Sequence, residues 1–187
     1  MEKSVIHIYG ASGSGTTTLA RYLTENLGYR LIDSDDYYWE NTDPPYRQKR
    51  PIPERIRLMK EELKQSPKAV ISGSLTDWGD PLIPFFTLAA RLVTPVEVRI
   101  ARIKERERKK FGSRIEPGGD MYETHCQFLD WASGYDTGGL DTRSKAKHDQ
   151  WEKLLTCPKI ILDGNKSLDW NLEQIKKAAG KVKTGYT

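Results

Sequence analysis

The chain is poor in the residues that build metal clusters and disulfide frameworks. Of its 187 residues only two are cysteine and three are histidine. Cys126 and Cys157 stand apart, in no zinc-type spacing and in no framework of a small secreted fold. His125 and His148 lack the partner spacing of a metal site or a nucleophilic triad. No apolar run approaches the roughly 20 residues that span a bilayer. The short apolar run behind Met1-Glu2-Lys3-Ser4 falls below the length of a secretion signal. Internal repeats and low-complexity stretches are missing as well. Strong charge imbalance is also absent: a net charge of +4 favours anionic ligands such as nucleotides without demanding nucleic acid. The expectation is a cytoplasmic chain with reduced thiols. Its 37% hydrophobic and 30% charged content supplies one sizeable core.

The stretch that organises the rest is Gly10-Ala11-Ser12-Gly13-Ser14-Gly15-Thr16-Thr17-Thr18. It follows the apolar run 5–9 and enters the helical pattern Leu19-Ala20-Arg21-Tyr22-Leu23. Strand, glycine-rich turn and helix in that order are the context of a phosphate-binding loop. The glycines let the backbone turn tightly and aim successive N–H groups inward, and the helix start adds positive potential at the same point. The bland alternative is a tight strand-to-helix turn without a ligand. The spacing fits G-x-x-x-x-G-K-[ST] at every position but one, because Thr16 stands where the lysine belongs.

Further along, Leu19, Leu23 and Leu27 give a helical stripe ending at Gly28, and 29–32 reads as a second strand running into Asp33-Ser34-Asp35-Asp36. Strand, helix, strand implies a parallel pair with a right-handed crossover. Residues 37–53 show little periodicity and read as an exposed loop, followed by a helix over 53–66. Strands follow at 69–73 and 88–93, with a loop and short helix between. Thr94-Pro95-Val96-Glu97 carries three helix-start signals: a threonine cap, proline in first position and glutamate three residues after the cap. That helix is predicted to close at Gly112, where a polar hinge or lid edge begins. A helix from Tyr122 to near Gly134, another capped by Ser144, a fifth strand at 159–163 and a last helix capped by Ser167 complete the pattern. Five short apolar strands alternating with helices predict a three-layer α/β/α sandwich around a five-stranded parallel sheet. The expected organisation is a single domain over 1–187, with an acceptor-binding loop at about 37–66 and a helical lid-like insert at about 112–143.

In such a sheet, ligands collect at the carboxyl ends of the strands. Phosphoryl transfer needs a phosphate cradle, a magnesium ion and a group that orients the attacking hydroxyl. Thr17 holds the position whose hydroxyl reaches magnesium. Asp33 and Asp35 alternate on what reads as an extended chain, so one faces the metal and its waters while the other faces the acceptor; solvated turn formation is the alternative. Asp36 reads as structural. Arg99, Arg102 and Arg106 share one helix face, a solvated stripe in the bland reading. In the sharper one Arg106 closes over the transferring phosphates, with Arg102 or Arg114 behind it. Tyr46 with Arg47, Lys49 and Arg50 suits an anionic or flat acceptor, or is simply an exposed basic loop. Trp39 and Trp78 follow strand ends and either wall a pocket or pack, whereas Trp131, Trp151 and Trp170 read as core.

With these residues the chain resembles the small P-loop kinases, the superfamily of adenylate, shikimate, gluconate and polynucleotide kinases. The likeness covers most of the chain in element order. It rests on Gly10–Thr17, on Asp33-Ser34-Asp35 and on the arginine-bearing helix before a lid-like insert. It implies a P-loop NTPase, nucleotide-kinase-like fold, use of ATP and Mg2+, and transfer to a small-molecule acceptor. By that resemblance Asp33 is the metal-side aspartate beside Thr17, Asp35 the acceptor-side one and Arg106 or a near neighbour the lid arginine. Asp163-Gly164-Asn165 resembles the loop bordering the adenine ring. Thr16 and the sequence Ser72-Gly73-Ser74 after the third strand depart from the adenylate-kinase pattern. Two alternatives stay open: a nucleotide-binding regulator with little transfer, and a kinase of nucleoside monophosphates or of nucleic-acid 5′ ends, with nucleic acid the less favoured partner.

Overall fold

Alternation along the first strand sets the layering. In Ser4–Gly10, Val5 and Tyr9 face one side and Ile6 and Ile8 the other, and all four are buried, as a strand covered on both faces requires. In the computed structural model, which describes residues 3–184, the elements run β1 (Ser4–Gly10), α1 (Thr16–Leu27), β2 (Arg30–Asp33), α2 (Ser34–Tyr38), α3 (Ile52–Gln65), β3 (Lys68–Ser72), β4 (Leu88–Val93), α4 (Val96–Phe111), α5 (Tyr122–Ser133), α6 (Lys145–Trp151), β5 (Lys159–Asp163) and α7 (Leu168–Thr184). The five strands form one parallel sheet in the order β2-β3-β1-β4-β5.

Leu19, Ala20 and Leu23 of α1 join Leu172 and Ile175 of α7 over one face of the sheet. Met59 and Leu63 of α3 and Trp151 of α6 cover the other. This is the predicted three-layer sandwich. The central strand β1 has β3 on one side and β4 on the other, so the turn after it opens where connections leave in opposite directions, the crevice in which such sheets bind ligands. No helix of the described residues is long and apolar enough to cross a membrane.

Several local expectations need correction. Asp33–Asp36 is not an extended run: Asp33 caps α2, accepting from the Asp35 N–H at 3.2 Å, and the next residues turn into a helix. Thr94 does not cap α4, which starts from Pro95 without a side-chain bond; its hydroxyl donates instead to the Ser14 carbonyl at 3.0 Å and so fastens the glycine loop. Residues 37–53 are more than irregular loop, since Trp39 and Lys49 form an antiparallel bridge. Trp151 is core, but Trp131 and Trp170 are 38% and 41% exposed: helical periodicity marks a face without saying what covers it.

Beside α2, Gly73 ends β3 with φ of 98°, and a Cβ there would lie 2.0 Å from Ser34 Oγ. The short helix carrying Asp35 therefore rests on a residue without a side chain. Gly73→Ala is expected to destabilise the fold by about 1–3 kcal/mol through left-handed backbone strain alone, measured by urea unfolding. A midpoint equal to wild type would show that the turn relaxes freely.

Candidate active site

The glycine loop is wedged between the sheet and α4. Gly13 has φ of 78°, and a Cβ on it would come within 2.5 Å of the Arg99 carbonyl in the first turn of α4. The turn is closed by the Ser14 N–H on the Ala11 carbonyl at 3.1 Å. Among the described residues, the N–H groups of Gly13, Gly15, Thr16 and Thr17 take no acceptor from the loop itself. Helix starts leave such donors free, and their dipoles add to the positive field. Ser14 Oγ is buried without a partner. The loop thus turns backbone donors toward the start of α1.

Behind it, Thr17 Oγ1 donates to Asp33 Oδ2 at 2.9 Å, with Ser72 Oγ 3.5 Å from the same hydroxyl. The first turn of α1 and the ends of β2 and β3 thus converge on one point. Asp35 sits one step along α2 at the edge of the cleft. The protein crowding it and the Asp33 charge push its carboxyl above the usual range, while Arg143 and Arg106 pull it back. Asp36 is raised for similar reasons, opposed by Arg21 and Lys110.

The arginines divide by what they touch. Arg99 is fully buried, donates to the Ala132 carbonyl at 3.3 Å and pairs with Asp136, holding the end of α5 against α4. Arg102 donates to the carbonyls of Ser14 at 3.2 Å and Gly164 at 3.0 Å, tying the glycine loop to the turn that presents the exposed Asn165. Arg106 is exposed, and its charge is felt at Asp35. Arg102, Glu105, Arg106, Lys109 and Lys110 line an open cavity of about 440 Å³ on α4, with Lys109 paired to Glu105 at 2.6 Å.

Two residues expected at the acceptor are otherwise engaged. Arg50 donates to the carbonyls of Asp36 and Tyr37 at the end of α2 and pairs with Glu40 at 3.4 Å. Trp78 lies in the core, its ring 5.4 Å from the Arg55 guanidinium. Arg47 remains exposed, with one long contact of 3.5 Å to the Asp120 carbonyl beside a cavity of about 300 Å³. Arg114 is taken by Asp43 and Asp120.

Sequence reading passed over Arg143. It lies between the aperiodic 135–141 segment and the Ser144 cap, and its Nη2 donates to Ser12 Oγ at 2.7 Å, a contact across 131 residues that no local pattern announces.

A model of the AAA_18 family, described as an AAA domain, matches residues 6–130. The chain belongs to that family. An uncharacterized protein of Bacillus subtilis, YqaC, is 37% identical to it over 173 residues, covering 92% of this chain and 96% of the relative. A cytidylate kinase of Archaeoglobus fulgidus is 30% identical over 115 residues, 56% of this chain and 62% of that kinase. A sugar kinase from Janibacter superposes with a TM-score of 0.50 at 14% identity, over 96% of this chain and 98% of that one. The fold of this AAA_18 member is therefore that of the P-loop nucleotide and small-molecule kinases.

Proposed function

We propose that the chain is an ATP- and Mg2+-dependent phosphotransferase acting on a small acceptor. The observation that carries this reading is the Thr17–Asp33 pair at 2.9 Å at the start of α1, with Asp35 held beside it. A hydroxyl and a carboxylate suit Mg2+, which favours oxygen ligands and completes its shell from water and substrate phosphates. Among the described residues no cluster of three His, Cys, Asp or Glu competes as a metal site. The ion's contribution would be to neutralise charge developing on the phosphates.

In this reading the N–H groups of Gly13–Thr17 hold the β-phosphate, and Asn165 and Arg102 border the nucleoside end. Asp35 orients the acceptor hydroxyl and takes its proton, a role for which a raised pKa is suited. Arg106 approaches from α4, residues 112–143 act as the lid, and 37–66 frame the acceptor with Arg47. Arg50 and Trp78 hold that frame in place. The cavity on α4, where Arg102, Arg106 and Lys110 outnumber the Lys109–Glu105 pair, favours an acceptor bearing a carboxylate or phosphate. The likeness to a cytidylate kinase favours a nucleoside monophosphate as a second reading, while a charge of only +4 weighs against nucleic acid. Both cysteines are free, which suits a reducing cytoplasm.

The test is a transfer screen with ATP against nucleoside monophosphates, sugars, sugar acids and oligonucleotides, with Mg2+ and with EDTA. We expect Mg2+-dependent turnover on one anionic small molecule. ATP binding without transfer to any class would favour the regulatory reading instead.

A further inference from the structure

Thr16 leaves the cradle without the cation that its spacing pattern calls for, and the remaining arginines are not equivalent candidates to supply it. Arg91, Arg99 and Arg114 each meet a carboxylate. Arg102 spends both terminal nitrogens on carbonyls, that of Ser14 in the glycine loop and that of Gly164 at the nucleoside end. Arg106 stands exposed on α4 with no hydrogen bond to fix it among the described residues.

Arg143 differs from all of these. Among the described residues it has no carboxylate within ion-pair reach. Its guanidinium lies 4.5 Å from the Trp131 ring centroid, and Trp131 is in turn fixed by its Nε1 donating to Thr142 Oγ1 at 3.0 Å. Nη2 holds Ser12 Oγ, and Nε is buried without a partner. Burial pushes its pKa down while Asp35 pulls it up. A half-buried cation whose Nε is buried without a partner is costly unless an anion completes it. The cation touches the tip of the phosphate loop on one side and directs its field at Asp35 on the other, so it spans the line from cradle to acceptor.

We propose that Arg143 supplies the positive charge missing at Thr16, binding the terminal phosphates of the nucleotide from the opposite wall of the cleft. The inference rests on the phosphate-cradle reading of Gly10–Thr17. A planar fork set by stacking and a hydrogen bond suits phosphate oxygens better than a free ammonium. Because the charge comes from a segment 131 residues away from Ser12, the complete cradle exists only when 135–144 is docked on the loop.

The test is calorimetric titration of the full chain with MgATP and with inorganic tripolyphosphate. Arg143→Gln, which removes the charge and shortens the side chain, is expected to weaken both about 10- to 100-fold. Arg143→Lys, which keeps the charge but loses the planar fork, should lose clearly less than Arg143→Gln. In a Thr16→Lys background, the loss from Arg143→Gln should shrink to about threefold or less, because the charge is then supplied locally. Equal affinities for Arg143→Gln and wild type, or equal losses in the Gln and Lys variants that Thr16→Lys does not relieve, would overturn the assignment while leaving nucleotide binding intact. A wild-type protein that binds neither ligand would overturn the cradle reading itself. Tripolyphosphate should also protect Arg143 of the wild type from phenylglyoxal in peptide mapping; lack of protection would overturn the proposal even where no variant folds.

Discussion

Asp35→Asn is expected to lower phosphoryl-transfer turnover by about 10²–10⁴-fold while ATP affinity stays within about threefold, the loss that removal of a general base produces. The asparagine keeps the size and the position on α2, whose cap belongs to Asp33, so the fold has no reason to change. The pH profile separates this role from mere positioning. A base must be ionised to work, so activity falls as pH drops through its pKa. Crowding and the Asp33 charge hold Asp35 above the usual carboxylate range, so the acid limb should lie above the ordinary value of about 3.9. Asp35→Asn should abolish that limb along with the rate. Asp33→Asn, by contrast, should raise the Mg2+ concentration needed for half-maximal rate. Undiminished turnover in Asp35→Asn would remove this residue from the mechanism.

The parts of the molecule legible in the sequence are those set by near neighbours. Apolar runs of four to seven residues became strands because both faces of the sheet are covered. The glycine loop was readable because its demand, close backbone approach at Gly13, is met by residue type alone. Gly28 and Ser144 ended and began helices as their local chemistry requires. What escaped was set by distant partners. Thr94 has every local reason to cap α4, yet Ser14, 80 residues away, takes its hydroxyl. Arg50 and Arg47 look alike in a basic loop, but only Arg50 meets the carbonyls ending α2. Trp78, open between pocket wall and packing, packs, and Trp131, read as core, is 38% exposed, for the same reason. Arg55 and the α3 core claim the first, while the second is left as a platform for Arg143. The Asp33–Asp35 pair illustrates both cases. Its place at the end of β2 was readable, but its geometry follows from the short helix that Gly73 makes room for.

The protein is also expected to lose stability steeply between pH 6.5 and about pH 4, because two buried histidines cannot be protonated in place. His7 is fully buried among Tyr9, Phe86 and Trp151; its Nε2 donates to the Gly73 carbonyl at 2.9 Å, and Nδ1 is left without a partner. Burial pushes its pKa down to about 4. His148 is held between Ser74 Oγ at 2.9 Å and the Tyr135 hydroxyl at 2.6 Å. Burial first, then the charges of Arg143 and Arg91 and the nearby His7, push it to about 3, against a smaller pull from Asp149. Both rings are neutral in the fold and titrate near 6.5 when unfolded. Above that pH neither state takes a proton and these residues confer no pH dependence. Below it only the unfolded chain does, so each histidine costs about 1.4 kcal/mol per pH unit until the folded values are reached. Together they remove about 5 kcal/mol over two units, comparable to the whole stability of a small domain. Urea midpoints from pH 8 to 4.5 measure this, and His148→Gln, which retains hydrogen-bonding groups but cannot titrate, should roughly halve the slope. A midpoint that stays flat through pH 5 would mean that both rings accept protons in the folded state.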